Sequence, residues 1–283
     1  MLYDSLSQTV PDTAAALHVW PETAAPCYMS VDRYCQARAG SIASRSGAYH
    51  LVGALGVSYP DGVERHFNSC YQFNPEGQLE QRYDKVKLVP FSEQAPYQDH
   101  LPFLKAEVLS KYLSFIKTYD VQWWSDFYPG DTAKVFEIPD VTYGVLICFE
   151  CTFPEYVRKM VRMGADYMVG ITNDTWFHNS LGIYMHARIF ITRAVENRIW
   201  MARSANSGLT FIVDPYGRIR QQLEYNEVGA LVGKVGRLEE YSVFTRIGDV
   251  AGLVSFLILA AVIAILVVSW LIQKISRRSQ SVA

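Results

Sequence analysis

Three short segments carry residue types that together could run covalent acyl chemistry. Trp20-Pro21-Glu22-Thr23-Ala24 places a carboxylate directly after an apolar run. Tyr83-Asp84-Lys85-Val86-Lys87-Leu88-Val89-Pro90-Phe91-Ser92-Glu93 places a lysine at a strand end. Ile147-Cys148-Phe149-Glu150 ends a β-branched, apolar run in a cysteine just before a helical pattern. Singly, each has an ordinary explanation: a capping or solvated glutamate, a surface lysine, a cysteine packed as a small hydrophobe. Jointly they supply a thiol, a base to take its proton, and a cation to hold a tetrahedral oxyanion. A strand–helix junction adds backbone N–H groups that favour the thiolate and can serve the oxyanion. Other chemistries find less support. His178 and His186 stand eight positions apart with no third ligand at metal-like spacing, so neither a metal nor another cofactor is expected. There is no G-x-S-x-G elbow for serine hydrolysis.

Holding such residues together calls for alternating strands and helices. Ala14 to Trp20, Leu51 to Ser58, Phe67 to Phe73 and Gln78 to Tyr83 read as strands, with turns at Pro60-Asp61-Gly62 and Asn74-Pro75-Glu76-Gly77. Asp32 to Arg45 reads as a helix. Tyr143 to Phe149 and Tyr167 to Thr172 have the composition of strands buried on both faces. Helical spacing marks Pro154 to Met163 and Leu181 to Arg198. Leu209 to Val213, a turn at Asp214-Pro215-Tyr216-Gly217 and the run from Arg218 complete a layered α/β pattern with mixed sheets. Phe91 to Asp131 has no clean period and is rich in Tyr, Phe and Trp. Two readings stand for it, a satellite cluster on the core and a lid or membrane-dipping loop.

The 283 residues carry 26 basic against 28 acidic side chains, which gives no electrostatic reason to expect nucleic-acid binding. Five cysteines are too few, and odd in number, for a disulfide scaffold. Mean hydropathy is +0.04, and the excess is concentrated in Val250 to Ile272, 23 residues without a charge. That stretch is long enough to cross a bilayer, and a buried core helix rarely runs so far without a polar face. Asp249 bounds it on one side, Lys274, Arg277 and Arg278 on the other, with Trp270 near the basic end. The expected organisation is a catalytic domain over residues 1–249, a transmembrane helix over 250–272 and a basic tail over 273–283 on the cytoplasmic side. In a bacterium, the domain would then face the periplasm from the inner membrane. The first twenty residues show no export signal, so export is expected to be directed from elsewhere.

The ordered set WPE, YDK with LVPF and a following Glu, then ICFE with a later PE, resembles the nitrilase (carbon–nitrogen hydrolase) superfamily. WPETA, YDKxxLVPFxE, ICFExxFPE, ITNDTWF, GIYMHARIFITRAVENR, SANSGLTFIVDPYGR and the terminal apolar helix are similar to the apolipoprotein N-acyltransferase family in particular, over most of the chain from Trp20 to Ile272. The resemblance implies an α/β fold, a nitrilase-like αββα sandwich plus one C-terminal transmembrane helix, and a Glu-Lys-Cys triad. Glu22 matches the general base, Lys85 the lysine and Cys148 the nucleophile. Glu93, Phe149, Glu150, Asn173 and Trp176 would support the site, and Cys151 is read as structural. Phe149 stands where the family usually has tyrosine, and Ser92 where it usually has glycine, which is expected to affect the loop holding Glu93.

The implied partners are a phospholipid acyl donor and a diacylated apolipoprotein acceptor, both in the membrane. The family carries several transmembrane helices and a first sandwich strand ahead of this region. Here that strand is expected to be missing, and three accounts compete: a misplaced start, a separate chain supplying the membrane helices, or a remnant. The rival functional readings are a membrane-anchored carbon–nitrogen hydrolase and an inactive fragment acting as a binding or assembly partner.

Overall fold

The computed structural model describes residues 2–10, 16–94 and 126–280, with side chains through Ile272. Two sheets face each other. The first has the path β1 (Leu17–Val19), β3 (Tyr49–Ser58), β4 (Arg65–Phe73), β5 (Leu79–Asp84), and β2 (Ala25–Tyr28) also pairs with β3. β1 and β2 both run parallel to β3, and the Trp20–Ala24 break lies between them. The second sheet runs β11 (Ile219–Leu223), β10 (Thr210–Val213), β9 (Met201–Asn206), β8 (Tyr167–Asn173), β7 (Val141–Ile147), β6 (Val135–Ile138). Its centre, β7–β8–β9, is parallel, which explains the continuous apolar runs of β7 and β8.

Three apolar layers hold the sandwich. Between the sheets, Leu51, Cys70 and Tyr83 meet Phe136, Tyr143, Val145, Ile147, Val169 and Ile171. Outside the first sheet, Ala39, Ile42 and Ala43 of α2 (Arg33–Ser46) cover Val52, Ala54, Tyr71 and Phe73. Outside the second, α3 (Pro154–Arg162) and α4 (Leu181–Asn197) pack Val157, Met160, Ile183, Ala187 and Phe190 onto Leu146, Met168 and Phe211. The expected αββα sandwich is the fold. A short helix, α1 (Leu2–Thr9), stacks Tyr3 on Trp20 with ring centroids 5.2 Å apart.

The element boundaries depart from the sequence reading in places. The strand before Cys148 stops at Ile147, and Cys148–Thr152 forms a 3₁₀ turn ahead of α3. β6 and β9 were not anticipated: β6 is four residues long, and β9 reads Met-Ala-Arg-Ser-Ala-Asn, with no β-branched residue. Of the aromatic stretch, Tyr97, Phe103, Tyr112, Phe115, Tyr119, Trp123 and Trp124 lie outside the described residues. The cysteine count gave no hint that Cys27 and Cys35 pair as a disulfide, which ties β2 to the first turn of α2. Cys27 and Cys35 also belong, with Asp32, to the one cluster of three potential metal donors among the described residues, and the disulfide takes both sulfurs.

α5 (Val243–Ile247) leads into α6 (Val250–Gln280), whose Val250–Ile272 portion has mean hydropathy 3.0 and is 0% buried. A core helix would be covered; this one is bare along its length. Its base is fixed to the domain. Arg158 of α3 donates to the carbonyls of Phe244, Thr245 and Arg246, and the Thr245 hydroxyl donates to Asn197 at the end of α4.

Candidate active site

The site lies at the C-terminal ends of β1, β7 and β8, closed from the first sheet by the segment after β5. Glu22 follows β1 in the break where the chain leaves and rejoins β3. Gly53 of β3 permits that break: a Cβ there would collide with the Pro21 carbonyl oxygen and lie 2.8 Å from the Glu22 Cα. Lys85 follows β5, its N–H donating to the Asn68 carbonyl at 2.8 Å. Cys148 follows β7 with φ +51°, a left-handed conformation that a residue with a Cβ adopts only when its surroundings hold it there.

Glu22, Lys85 and Glu93 converge, all buried. Lys85 Nζ donates to Glu93 Oε1 at 2.8 Å and to Glu22 Oε1 at 3.4 Å. Asn68 Nδ2 bridges the same two oxygens, at 2.6 Å to Glu22 and 2.9 Å to Glu93. The remaining carboxylate oxygens take backbone N–H groups, Asn173 N to Glu22 Oε2 at 2.7 Å and Val89 N to Glu93 Oε2 at 2.8 Å. In the Glu93 loop the positive φ falls on Phe91, at 63°, so the residue at 92 needs no glycine.

Cys148 feels all three charges. Burial pushes its thiol up, the Glu22 charge pushes the same way, and Lys85 with a Thr172 hydrogen bond pulls it down; the net shift is upward. The resting group is therefore a neutral thiol. Burial works against the Lys85 charge, but the Glu22 and Glu93 carboxylates outweigh it and hold the ammonium.

The supporting residues divide. Glu150 is fully buried and reaches away as a brace: it accepts Ile147 N at 2.8 Å, Val86 N at 2.7 Å and Tyr83 Oη–H at 2.5 Å. One carboxylate thus joins the Lys85 segment to the Cys148 turn. Burial lifts it to about 7, against the opposing hydrogen bonds. Asn173 contributes its backbone N–H, while its side chain binds Thr175. Phe149 packs edge-on against Phe153, ring centroids 5.2 Å apart. Trp176, on the turn after β8, is 53% exposed. Cys151, in the same 3₁₀ turn, is buried.

Two groups escaped the sequence reading. Asn68 is a buried amide on β4, a strand that carries several polar residues, so nothing local sets it apart. The other is a buried charged network. His186 Nδ1 lies 2.9 Å from Asp174 Oδ1, Arg203 donates to Asp174 Oδ2 at 2.7 Å, and His186 Nε2 lies 3.3 Å from the Cys148 carbonyl oxygen. His186, weighed above only as a metal ligand, has both ring nitrogens engaged within the protein.

The profile of the carbon-nitrogen hydrolase family matches residues 2–240. Apolipoprotein N-acyltransferase of Geobacter metallireducens is 34% identical over 250 residues, 88% of this chain and 46% of that protein. The protein of the same name from Pseudomonas aeruginosa is 32% identical over 271 residues, covering 93% and 48%. The chain thus spans about half the length of the curated relatives it matches. Among solved structures, an amidase from Nesterenkonia sp. superposes with a TM-score of 0.58 at 19% identity, covering 89% of this chain and 87% of the amidase. A mutant of the Nesterenkonia sp. AN1 amidase, bearing the acetamide moiety of fluoroacetamide on its active-site cysteine, gives 0.58 at 19% identity over 84% and 82%. These structures share the sandwich. With the profile spanning the whole domain described above, the chain belongs to the carbon-nitrogen hydrolase family.

Proposed function

We propose that the chain is the catalytic part of an N-acyltransferase that moves an acyl chain from a phospholipid to the N-terminal cysteine amine of diacylated apolipoproteins. The observation that carries this reading is the buried union of Glu22, Lys85 and Glu93 beside the Cys148 thiol. Glu22 takes the Sγ proton as the sulfur attacks the ester carbonyl carbon. Lys85 and backbone N–H groups hold the oxyanion. The tetrahedral adduct collapses, the C–O bond to the glycerol oxygen breaks, and the proton passes from Glu22 to the departing lysophospholipid. The lipoprotein α-amine then attacks the thioester; Glu22 receives the amine proton and returns it to the cysteine sulfur as the C–S bond breaks.

The bare helix over Val250–Ile272 supports a membrane setting, where both substrates reside. Two features favour a domain facing the bacterial periplasm: the Cys27–Cys35 disulfide, which suits an oxidising compartment, and Lys274, Arg277 and Arg278 beyond the far end of the helix. The names of the relatives favour an amine acceptor, whereas a carbon–nitrogen hydrolase would use water. Full-length chain in detergent, offered a phospholipid donor and then either a diacylated lipopeptide or a short amide, separates the two. Acylated lipopeptide is the expected product; hydrolysis of the amide with no lipopeptide acylation would reject the transferase reading.

A further inference from the structure

The mechanism above makes no use of the buried Asp174–His186–Arg203 network, yet that network touches the nucleophile's own backbone. The partner of Nε2 fixes which ring nitrogen faces the turn. Nε2 faces a carbonyl oxygen, which can only accept, so Nε2 carries hydrogen. Nδ1 faces Asp174, whose carboxyl is held low by hydrogen bonds and charges from His186 and Arg203 despite its burial. Nδ1 also lies 3.1 Å from Arg203 Nη2, itself only a donor, and of these two neighbours the 2.9 Å Asp174 contact is the one that favours a charged ring. Burial opposes that charge, but the Asp174 bond, with help from Cys151 and against Arg203, lifts His186 to about 9. The groups around the ring are Asp174 after β8, Arg203 on β9, Cys151 and the Cys148 carbonyl in the 3₁₀ turn, and the Phe177 ring, whose centroid lies 5.8 Å away.

The Cys148 carbonyl thus points outward to α4, in the layer outside the second sheet. Every peptide bond here is trans, so the N–H of the same peptide, that of Phe149, points the opposite way, away from α4. A charged donor on the carbonyl also polarises the peptide and makes that N–H a stronger donor. The φ of +51° at Cys148 needs such an anchor, and the Glu150 contact to Ile147 N supplies the other one.

We propose that His186 is a positioning residue for acyl-enzyme formation: held by Asp174 and Arg203, it fixes the Cys148 carbonyl and so presents the Phe149 N–H to the oxyanion. This rests on Cys148 being the acylated thiol. The test compares two reactions of the same sulfur in the full chain. Acylation by a 4-nitrophenyl acyl ester passes through an oxyanion; alkylation by iodoacetamide, read at the Cys148 peptide by mass spectrometry, does not. In His186→Ala the acylation burst is expected to slow about 10- to 100-fold while alkylation changes by less than about twofold. His186→Gln, which keeps an N–H donor without the charge, should recover part of the burst rate. Equal slowing of both reactions would mean that the cysteine itself had moved, and no slowing would mean that the contact is idle; either overturns the proposal. If His186→Ala does not fold, the same split is expected in Asp174→Asn. A wild-type chain with no burst would instead overturn the acyl-enzyme reading, and the inference with it.

Discussion

In the proposed reaction, moving a proton from Cys148 to Glu22 leaves the net charge of the buried cluster unchanged, so the neutral thiol is activated without a large solvation cost. The cluster holds one ammonium between two carboxylates, and Asn68 bridges those carboxylates with its amide N–H groups. Glu93→Gln would remove one of them and leave Lys85 with Glu22 alone. The closer ion pair should lower the basicity of Glu22 and slow acylation about 10²-fold with the fold intact, measured as burst rate against thermal melting. Asn68→Ala should cost about 1–3 kcal/mol in chemical denaturation, because it strips a donor from two buried acceptors. Glu22, Lys85 and Cys148 stood out in the sequence as candidates because each follows a strand beside distinctive neighbours. Asn68 and Arg203 did not. Their partners lie 25 to 46 residues away for Asn68 and 29 away for Arg203, and no local pattern encodes such pairings.

At the level of elements, the site depends on how β3 and the Cys148 turn are braced. Gly53→Ala would drive a methyl group into the Pro21–Glu22 backbone; displaced Glu22 should depress acylation more than the overpacking cost of about 1–3 kcal/mol depresses stability. Glu150 gives the brace a pH signature. Its folded value of about 7 lies above the ordinary 4.5, so the folded state holds the proton more tightly. The associated stability is fully present below pH 4.5 and is lost as pH rises through 7. His186, lifted from 6.5 to about 9, extends the same downward trend to pH 9. The contributions of Glu150 and His186 to melting temperature are therefore expected to fall between pH 4.5 and 9, read as the difference between the wild-type profile and that of Glu150→Gln in the lower part and of His186→Gln in the upper part. The long apolar strands and capped helices were legible at this scale. β9 was not, because its stability comes from lying between β8 and β10 rather than from its own composition.

For the whole molecule, the arrangement is a sandwich standing on a bare apolar helix, with Arg158 and Thr245 fixing the joint. If the domain faces the periplasm, Cys27 and Cys35 should resist alkylation in intact cells until a reductant is added; free thiols at both positions would place the domain on the cytoplasmic side. The helix was legible from 23 uncharged residues, whereas the disulfide was hidden from a count of five cysteines that names no pair. The account as a whole stands on Cys148 carrying the acyl group. Intact-mass analysis of the full chain incubated with a defined phospholipid tests it directly. The wild type should gain the mass of one acyl group, labile to hydroxylamine and mapped to the Cys148 peptide, and Cys148→Ala should gain none. An acyl adduct that persists in Cys148→Ala would contradict the account.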